Sequence, residues 1–177
     1  MLFQPLLAVL LASLATATAS RSGHPSAVYT HPSSSPESSI RNVLAHYCII
    51  LDTKTYPSLS EVYTSDAVAN FTTIGLGVLN GLPAIQKAMN VTLGDIPTVH
   101  EMTSSWIYDV DVKGGEAKGV TYYTLQQFGT GEQAGRLFTV WGKWEDKYVF
   151  DDGWKIQNRQ VLLMGGPLIG HFEVPAH

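Results

Sequence analysis

The chain has 177 residues, of which 45% are apolar and 15% charged, and carries a formal net charge of −4. That length suits one domain, and the composition suits a packed core rather than disorder. The acidic balance and the scattered Lys and Arg exclude a phosphate-tracking surface, so no nucleic-acid partner is expected.

Leu6 to Leu14 is an apolar stretch followed by Ala15-Thr16-Ala17-Thr18-Ala19. It is too short to cross a hydrocarbon core of ~30 Å as a helix. It has the form of a signal-peptide core with a small-residue cleavage site, Ala15–Ala17 or Ala17–Ala19. Residues 1–19 therefore read as a signal peptide, which implies export to the secretory lumen or beyond and no membrane span in the mature form. Met1 to Pro5 lack the usual Lys or Arg, and the competing reading is an apolar N-terminal helix packed on the domain. Asn70-Phe71-Thr72 and Asn90-Val91-Thr92 both fit the N-glycosylation pattern, which marks Asn70 and Asn90 as acceptors. Cys48 is the single cysteine, so no disulfide forms within one chain. Placed among apolar helical residues, it reads as an inert buried thiol rather than a nucleophile.

Residues 20–35 are rich in Ser, Pro and His and read as a disordered leader. The domain is expected over residues 36–165, with a tail over 166–177. Ser35-Pro36-Glu37 is a helix start, and Ile40, Val43, Leu44, Tyr47 and Leu51 recur at helical spacing. This first helix should end near Asp52-Thr53-Lys54. Short helices are predicted over Pro57 to Tyr63 and, after the Asn80-Gly81 turn, over Pro83 to Met89. From Val99 the texture changes to strands: Trp106 to Val112, Lys118 to Phe128, Leu137 to Val149, and Trp154 to Met164. They are rich in aromatic and β-branched residues and separated by Gly- and Asp-bearing turns. Helices followed by antiparallel hairpins predict an α+β fold with the helices on one face of a sheet.

Three stretches resemble the SnoaL-like branch of the nuclear-transport-factor-like superfamily. They are Leu51-Asp52-Thr53-Lys54-Thr55-Tyr56 with Val62-Tyr63-Thr64-Ser65-Asp66-Ala67-Val68; Thr98-Val99-His100; and Gly142-Lys143-Trp144-Glu145-Asp146 with Asp152-Gly153-Trp154-Lys155-Ile156 and Arg159. The resemblance implies a cone-shaped curved sheet wrapped around the N-terminal helices and enclosing a pocket. Relatives of this kind include polyketide cyclases, scytalone-type dehydratases, ketosteroid isomerases and epoxide hydrolases. Others only bind ligands or proteins, and the fold does not choose among them. The resemblance also implies a possible homodimer through the outer sheet face.

By that resemblance Asp52 and His100 are the catalytic pair. A carboxylate beside an imidazole orients the ring and fixes its tautomer, which makes a general base for proton removal next to a carbonyl or for loss of water. No cofactor is needed for either. The plainer readings are that Asp52 forms a turn with Thr53 and Thr55 and that His100 is a strand residue bonded to a backbone carbonyl. A carboxylate at a helix C-terminus is disfavoured by the helix dipole, which argues against a purely local role for Asp52.

The pattern also departs from scytalone-type enzymes. Leu51 and Phe71 stand where their two carbonyl-polarising tyrosines are expected, and Ser104 where many relatives have Asn. The expected pocket is accordingly apolar and aromatic, with Tyr47, Phe71, Tyr122, Trp141 and Trp144 in its lining, and suits a bulky hydrophobic small molecule. The same aromatics read equally as ordinary core. Glu145 and Asp146 read as a solvated edge, with Arg159 pairing one of them across the hairpin. His24, His31, His171 and His177 lack metal-ligand spacing, so no metal site is expected. The functional expectation is a cofactor-independent lyase, isomerase or cyclase acting on a bulky hydrophobic, polyketide- or terpenoid-like compound, by acid–base chemistry or by cyclisation templated by the pocket's shape. Its rival is an exported binding protein for a hydrophobic small molecule.

Overall fold

The computed structural model describes residues 35–164. The signal segment, nearly all of the leader and the tail lie outside the described residues. Helix α1 runs Pro36–Asp52, with the Ser35 side chain accepting from the Ser38 backbone N–H and Pro36 in the first turn. Both features satisfy or remove amide donors that a helix start leaves unpaired. Ile40, Val43, Leu44, Tyr47 and Leu51 are all buried, so the stripe read from the sequence is the face that meets the sheet. A 3₁₀ turn follows at Tyr56–Glu61. The second helix, α2, runs Leu82–Leu93.

Six strands form one sheet: β1 (Tyr63–Phe71), β2 (Gly77–Asn80), β3 (Thr98–Asp111), β4 (Glu116–Phe128), β5 (Leu137–Phe150) and β6 (Trp154–Leu163). Their order is β2-β1-β6-β5-β4-β3. Every pair is antiparallel except β1–β6, which is parallel. The fold is α+β, as expected, with a mixed open sheet. Register shifts in the β1–β6, β3–β4 and β5–β6 pairings bend the strands. The sheet's inner face covers α1, which packs against β3 and β6, while α2 packs on β1.

Two expectations need correction here. The short helix predicted through Tyr63 stops at Glu61, and Tyr63 opens a strand. Strands β1 and β2 also precede α2, so the chain is not helices first and strands after. The β1 sequence, Tyr-Thr-Ser-Asp-Ala-Val-Ala-Asn-Phe, has weak strand formers (Ser65, Asp66, Ala67, Ala69 and Asn70) through its middle. It is extended because β6 and β2 pair with its two edges, and Ala67 and Ala69 give it a small, fully buried inner face.

Candidate functional site

Asp52 is the last residue of α1, and the turn after it is closed without its help. The Thr53 side chain bonds Ile49 O at 2.8 Å and Thr55 Oγ1 at 3.0 Å, while the Thr55 amide bonds Ile50 O at 3.1 Å. Lys54 takes a left-handed conformation, φ 62°, which reverses the chain. The Asp52 carboxylate is thereby released from local capping and reaches β3.

There it accepts three hydrogen bonds. Oδ1 lies 2.6 Å from His100 Nδ1 and 2.8 Å from Thr98 Oγ1, and Oδ2 lies 2.9 Å from the His100 backbone N. Thr98 and His100 are two apart on one strand and so share a face. Lys54 Nζ in turn donates to Thr98 Oγ1 at 2.9 Å. Burial pushes the Asp52 carboxyl up. The bonds from the His100 ring, the His100 amide and Thr98 outweigh that and hold it below its ordinary value. An ionised Asp52 can only accept, so the Nδ1 that faces it carries a proton. In the neutral imidazole Nε2 is then the ring nitrogen without one.

The His100 side chain is 5% exposed and lines a cavity of about 70 Å³. Leu51 and Tyr47 of α1, Met89 and Leu93 of α2, and Leu125, Tyr123 and Trp144 of the sheet form much of its wall. Phe71, Ile74 and Leu76 close it from the β1–β2 connection. Of the five aromatics expected to line a pocket, Tyr47, Phe71 and Trp144 are in this wall. Tyr122 and Trp141 are not: they are 40% and 46% exposed, against 6% and 2% for Tyr123 and Trp144. The correction follows from strand alternation. Tyr122 and Trp141 have the parity of the outer face, and the inward tyrosine of the adjacent pair is Tyr123.

Tyr123 lies across Gly142 on β5, where an added Cβ would fall 2.6 Å from its ring. Its ring stacks on Trp144 with centroids 4.5 Å apart. Burial pushes the Tyr123 phenol up to about 12, so it is a protonated donor at neutral pH. Its hydroxyl makes no hydrogen bond to another described residue. Cys48 is also buried, which pushes its thiol up to about 12 and leaves it unreactive.

Beneath the cavity lies a buried ion pair. Arg159 Nε and Nη2 donate to Asp146 Oδ1 and Oδ2 at 2.8 and 2.7 Å, and Tyr148 Oη donates to Oδ2 at 2.9 Å. Both charged side chains are fully buried, so the expectation of a solvated edge at Asp146 is corrected; Glu145, of opposite parity, is exposed. The Arg159 guanidinium sits 4.3 Å from the ring centroids of both Tyr47 and Trp144. Its Nη1 has no hydrogen-bond partner among the described residues; the two ring faces stand in for one. Burial alone would lower the guanidinium's pKa, but the Asp146 carboxylate more than offsets this and keeps Arg159 charged.

Among the described residues no group of three His, Cys, Asp or Glu is arranged to hold a metal ion. No described helix is long and apolar enough to cross a membrane. Asn90 is exposed on α2, whereas Asn70 is half-buried in β1 and its Oδ1 accepts from the Thr72 amide and hydroxyl at 3.0 and 2.6 Å.

A family model for the SnoaL-like domain matches residues 32–160. An uncharacterized protein of Mycobacterium tuberculosis (strain H37Rv) is 26% identical over 122 residues, spanning 68% of this chain and 80% of the relative. Three solved structures illustrate the likeness in fold. A hexachlorocyclohexane dehydrochlorinase, LinA Type2, superposes with a TM-score of 0.62 at 18% identity, covering 77% of this chain and 90% of that one. A protein assigned as a scytalone dehydratase from Novosphingobium aromaticivorans gives 0.62 at 20% identity, covering 77% and 89%. The Kfla4162 protein of Kribbella flavida gives 0.63 at 18% identity, covering 70% and 87%. At these identities the structures establish the fold alone.

Proposed function

Because this chain belongs to the SnoaL-like domain family, we propose that it is a cofactor-independent lyase, isomerase or cyclase for a hydrophobic, polyketide- or terpenoid-like compound. The observation that carries the reading is the 2.6 Å contact of Asp52 with His100 at the wall of an apolar cavity. In this reading Asp52 holds the Nδ1–H tautomer and stabilises the imidazolium once His100 Nε2 has taken a proton from substrate. The proton comes from a carbon next to a carbonyl, and its electron pair moves to the carbonyl oxygen. The protonated Tyr123 hydroxyl is the nearby group suited to donate to that oxygen. Return of the proton to another carbon gives isomerisation, and its delivery to a departing β-hydroxyl gives dehydration. The apolar wall keeps bulk water from competing for the carbonyl oxygen. Names of similar structures, a dehydrochlorinase and a scytalone dehydratase, support elimination chemistry as the class to test first.

The test is exchange of the α-hydrogens of aromatic and alicyclic hydroxyketones in deuterium oxide, with loss of water followed in parallel by mass spectrometry. Asp52→Asn and His100→Ala should each lower the rate by roughly 10²–10⁴-fold, the usual weight of a positioned general base. Turnover kept in full by both variants would remove the acid–base role and leave closure templated by the pocket's shape, and a wild-type rate no higher than the uncatalysed background would leave ligand binding without chemistry as the function. The specific observation favouring that second reading is how little polar surface the cavity offers beyond His100, Thr92 and the two tyrosines. We propose export as part of either reading, supported by the apolar leader and by the exposed sequon at Asn90.

A further inference from the structure

The inner cavity, about 70 Å³, is less than half the ~150 Å³ of an engineered cavity that accepts benzene. A bulky substrate therefore places only its reacting end there, and the rest must lie elsewhere. The sheet supplies a second, open cleft. Beyond Tyr123 and Leu125, the inward row of β4 continues to Gln127, which pairs with Phe138 on β5 as Leu125 pairs with Val140. Gln127 and Phe138 line a cleft of about 270 Å³ at the tip of the β4–β5 hairpin, closed on its sides by Ile96, Phe128, Leu137 and Arg136. His100 pairs with Leu125 and Thr98 with Gln127, so the cleft begins one same-face step beyond the Asp52–His100 contact.

Among the described residues Arg136, exposed at the rim, is the one charged side chain that lines this cleft. Its Nη1 donates to the neutral Gln133 Oε1 at 2.8 Å, and no carboxylate among the described residues forms a salt bridge with it. The loop that carries it is fixed: the Gly129 amide bonds Arg136 O at 2.9 Å. At Gly129 a Cβ would collide with the Gln133 carbonyl oxygen. A guanidinium with donors to spare, at the rim of an apolar cleft, matches the planar fork of a carboxylate.

We propose that this cleft and Arg136 bind the anionic end of an elongated substrate whose apolar end reaches His100, so that the substrate class is a hydrophobic carboxylate or a similar acid. The inference rests on the reading that His100 faces the reacting end. From Leu125, opposite His100, to Gly129, whose amide bonds Arg136 O just past the end of β4, is four residues, roughly 13 Å at ~3.3 Å each when extended. A linear polycycle or a medium-length acyl chain covers such a span.

Two fluorescent probes of matched shape test this by titration: anilinonaphthalene sulfonate, which is anionic, and phenylnaphthylamine, its uncharged counterpart. Arg136→Gln should weaken the sulfonate about ten-fold, as loss of a charge-assisted hydrogen bond does, and leave the amine unchanged. Ile96→Asp, which sets a carboxylate on the facing wall, should also weaken the sulfonate selectively. Arg41→Gln, which removes an exposed charge on α1 bonded to Ser105 O, should change neither. The proposal is overturned if Arg136→Gln binds the sulfonate like the wild type, if it weakens both probes equally, or if Arg41→Gln has the same effect. The readout involves no turnover, so the two failures are distinguishable: loss of the acid–base reading removes the placement of the reacting end at His100 but not the anion contact at Arg136, and failure here leaves the Asp52–His100 chemistry standing.

Discussion

Asp52 Oδ1 and His100 Nδ1 lie 2.6 Å apart although 48 residues separate them in the chain. The contact joins the end of α1 to the start of β3, so the site is a product of the packing of helix on sheet. A carboxylate that accepts from a side chain, a backbone amide and a hydroxyl is held in one orientation, and so is the ring it faces.

The Asp52 carboxyl, held below its ordinary value in the folded chain, makes stability depend on pH. A depressed folded-state pKa contributes stability that is present above the unfolded value, near 3.8. That contribution is lost as pH falls through the lower, folded value. Urea unfolding should therefore show a wild-type advantage over Asp52→Asn at pH 7 that shrinks as pH drops below about 4. An advantage that grew on acidification would reverse the sign and contradict the account.

Arg159 and Asp146 are both fully buried, and removing either partner strands a charge in the core. Asp146→Asn and Arg159→Met should each cost about 3–5 kcal/mol of folding stability. Loss of Arg159 also removes the cation between Tyr47 and Trp144, so the near-UV dichroism of the indole should change with it. Denaturant midpoints and dichroism of the two variants check both effects. A cost within about 0.5 kcal/mol, the range of an ordinary surface substitution, would refute the burial argument.

Gly142 leaves room for the Tyr123 ring. Gly142→Ala should push that ring off Trp144, with a penalty of about 1–3 kcal/mol for overpacking. Intrinsic fluorescence, which reports the 4.5 Å stack, together with the melting temperature, measures this. Unchanged emission and melting would mean that the glycine serves no close approach.

If the chain is exported through a glycosylating lumen, Asn90, exposed on α2, should carry glycan. Asn70 is half-buried in β1 with its amide oxygen engaged by Thr72, and should carry less. Glycosidase-sensitive mass shifts in Asn90→Gln and Asn70→Gln give the answer, and a shift retained in full by Asn90→Gln would contradict the ranking.

Much of the architecture is legible in the residues because it is written as periodicity. The 3.6-residue stripe of α1 and the long aromatic strands between Gly-rich turns follow from local chemistry. Strand β1 does not: its Ser, Asp, Ala and Asn carry little strand preference, and only the flanking strands extend it. Thr98 and His100 share a strand parity, so the role of Thr98 beside the pair was available in the T-x-H spacing. The choice of Tyr123 over Tyr122 was available too, since Gly142 is the residue that makes space across from Tyr123. The buried Asp146–Arg159 pair was hidden for a different reason. Charge in a strand predicts solvent, and only the assembled inner face shows two rings and a tyrosine hydroxyl compensating it.

The most direct test of the central claim needs no substrate. The nitrogen and proton resonances of a ring-labelled His100 report which nitrogen carries the proton and how strongly it is hydrogen-bonded. The account predicts a downfield Nδ1 proton that disappears in Asp52→Asn and, in the neutral ring, the Nδ1–H tautomer with Nε2 left to the cavity. A neutral ring protonated on Nε2 instead of Nδ1, or a spectrum indifferent to Asp52→Asn, would contradict it.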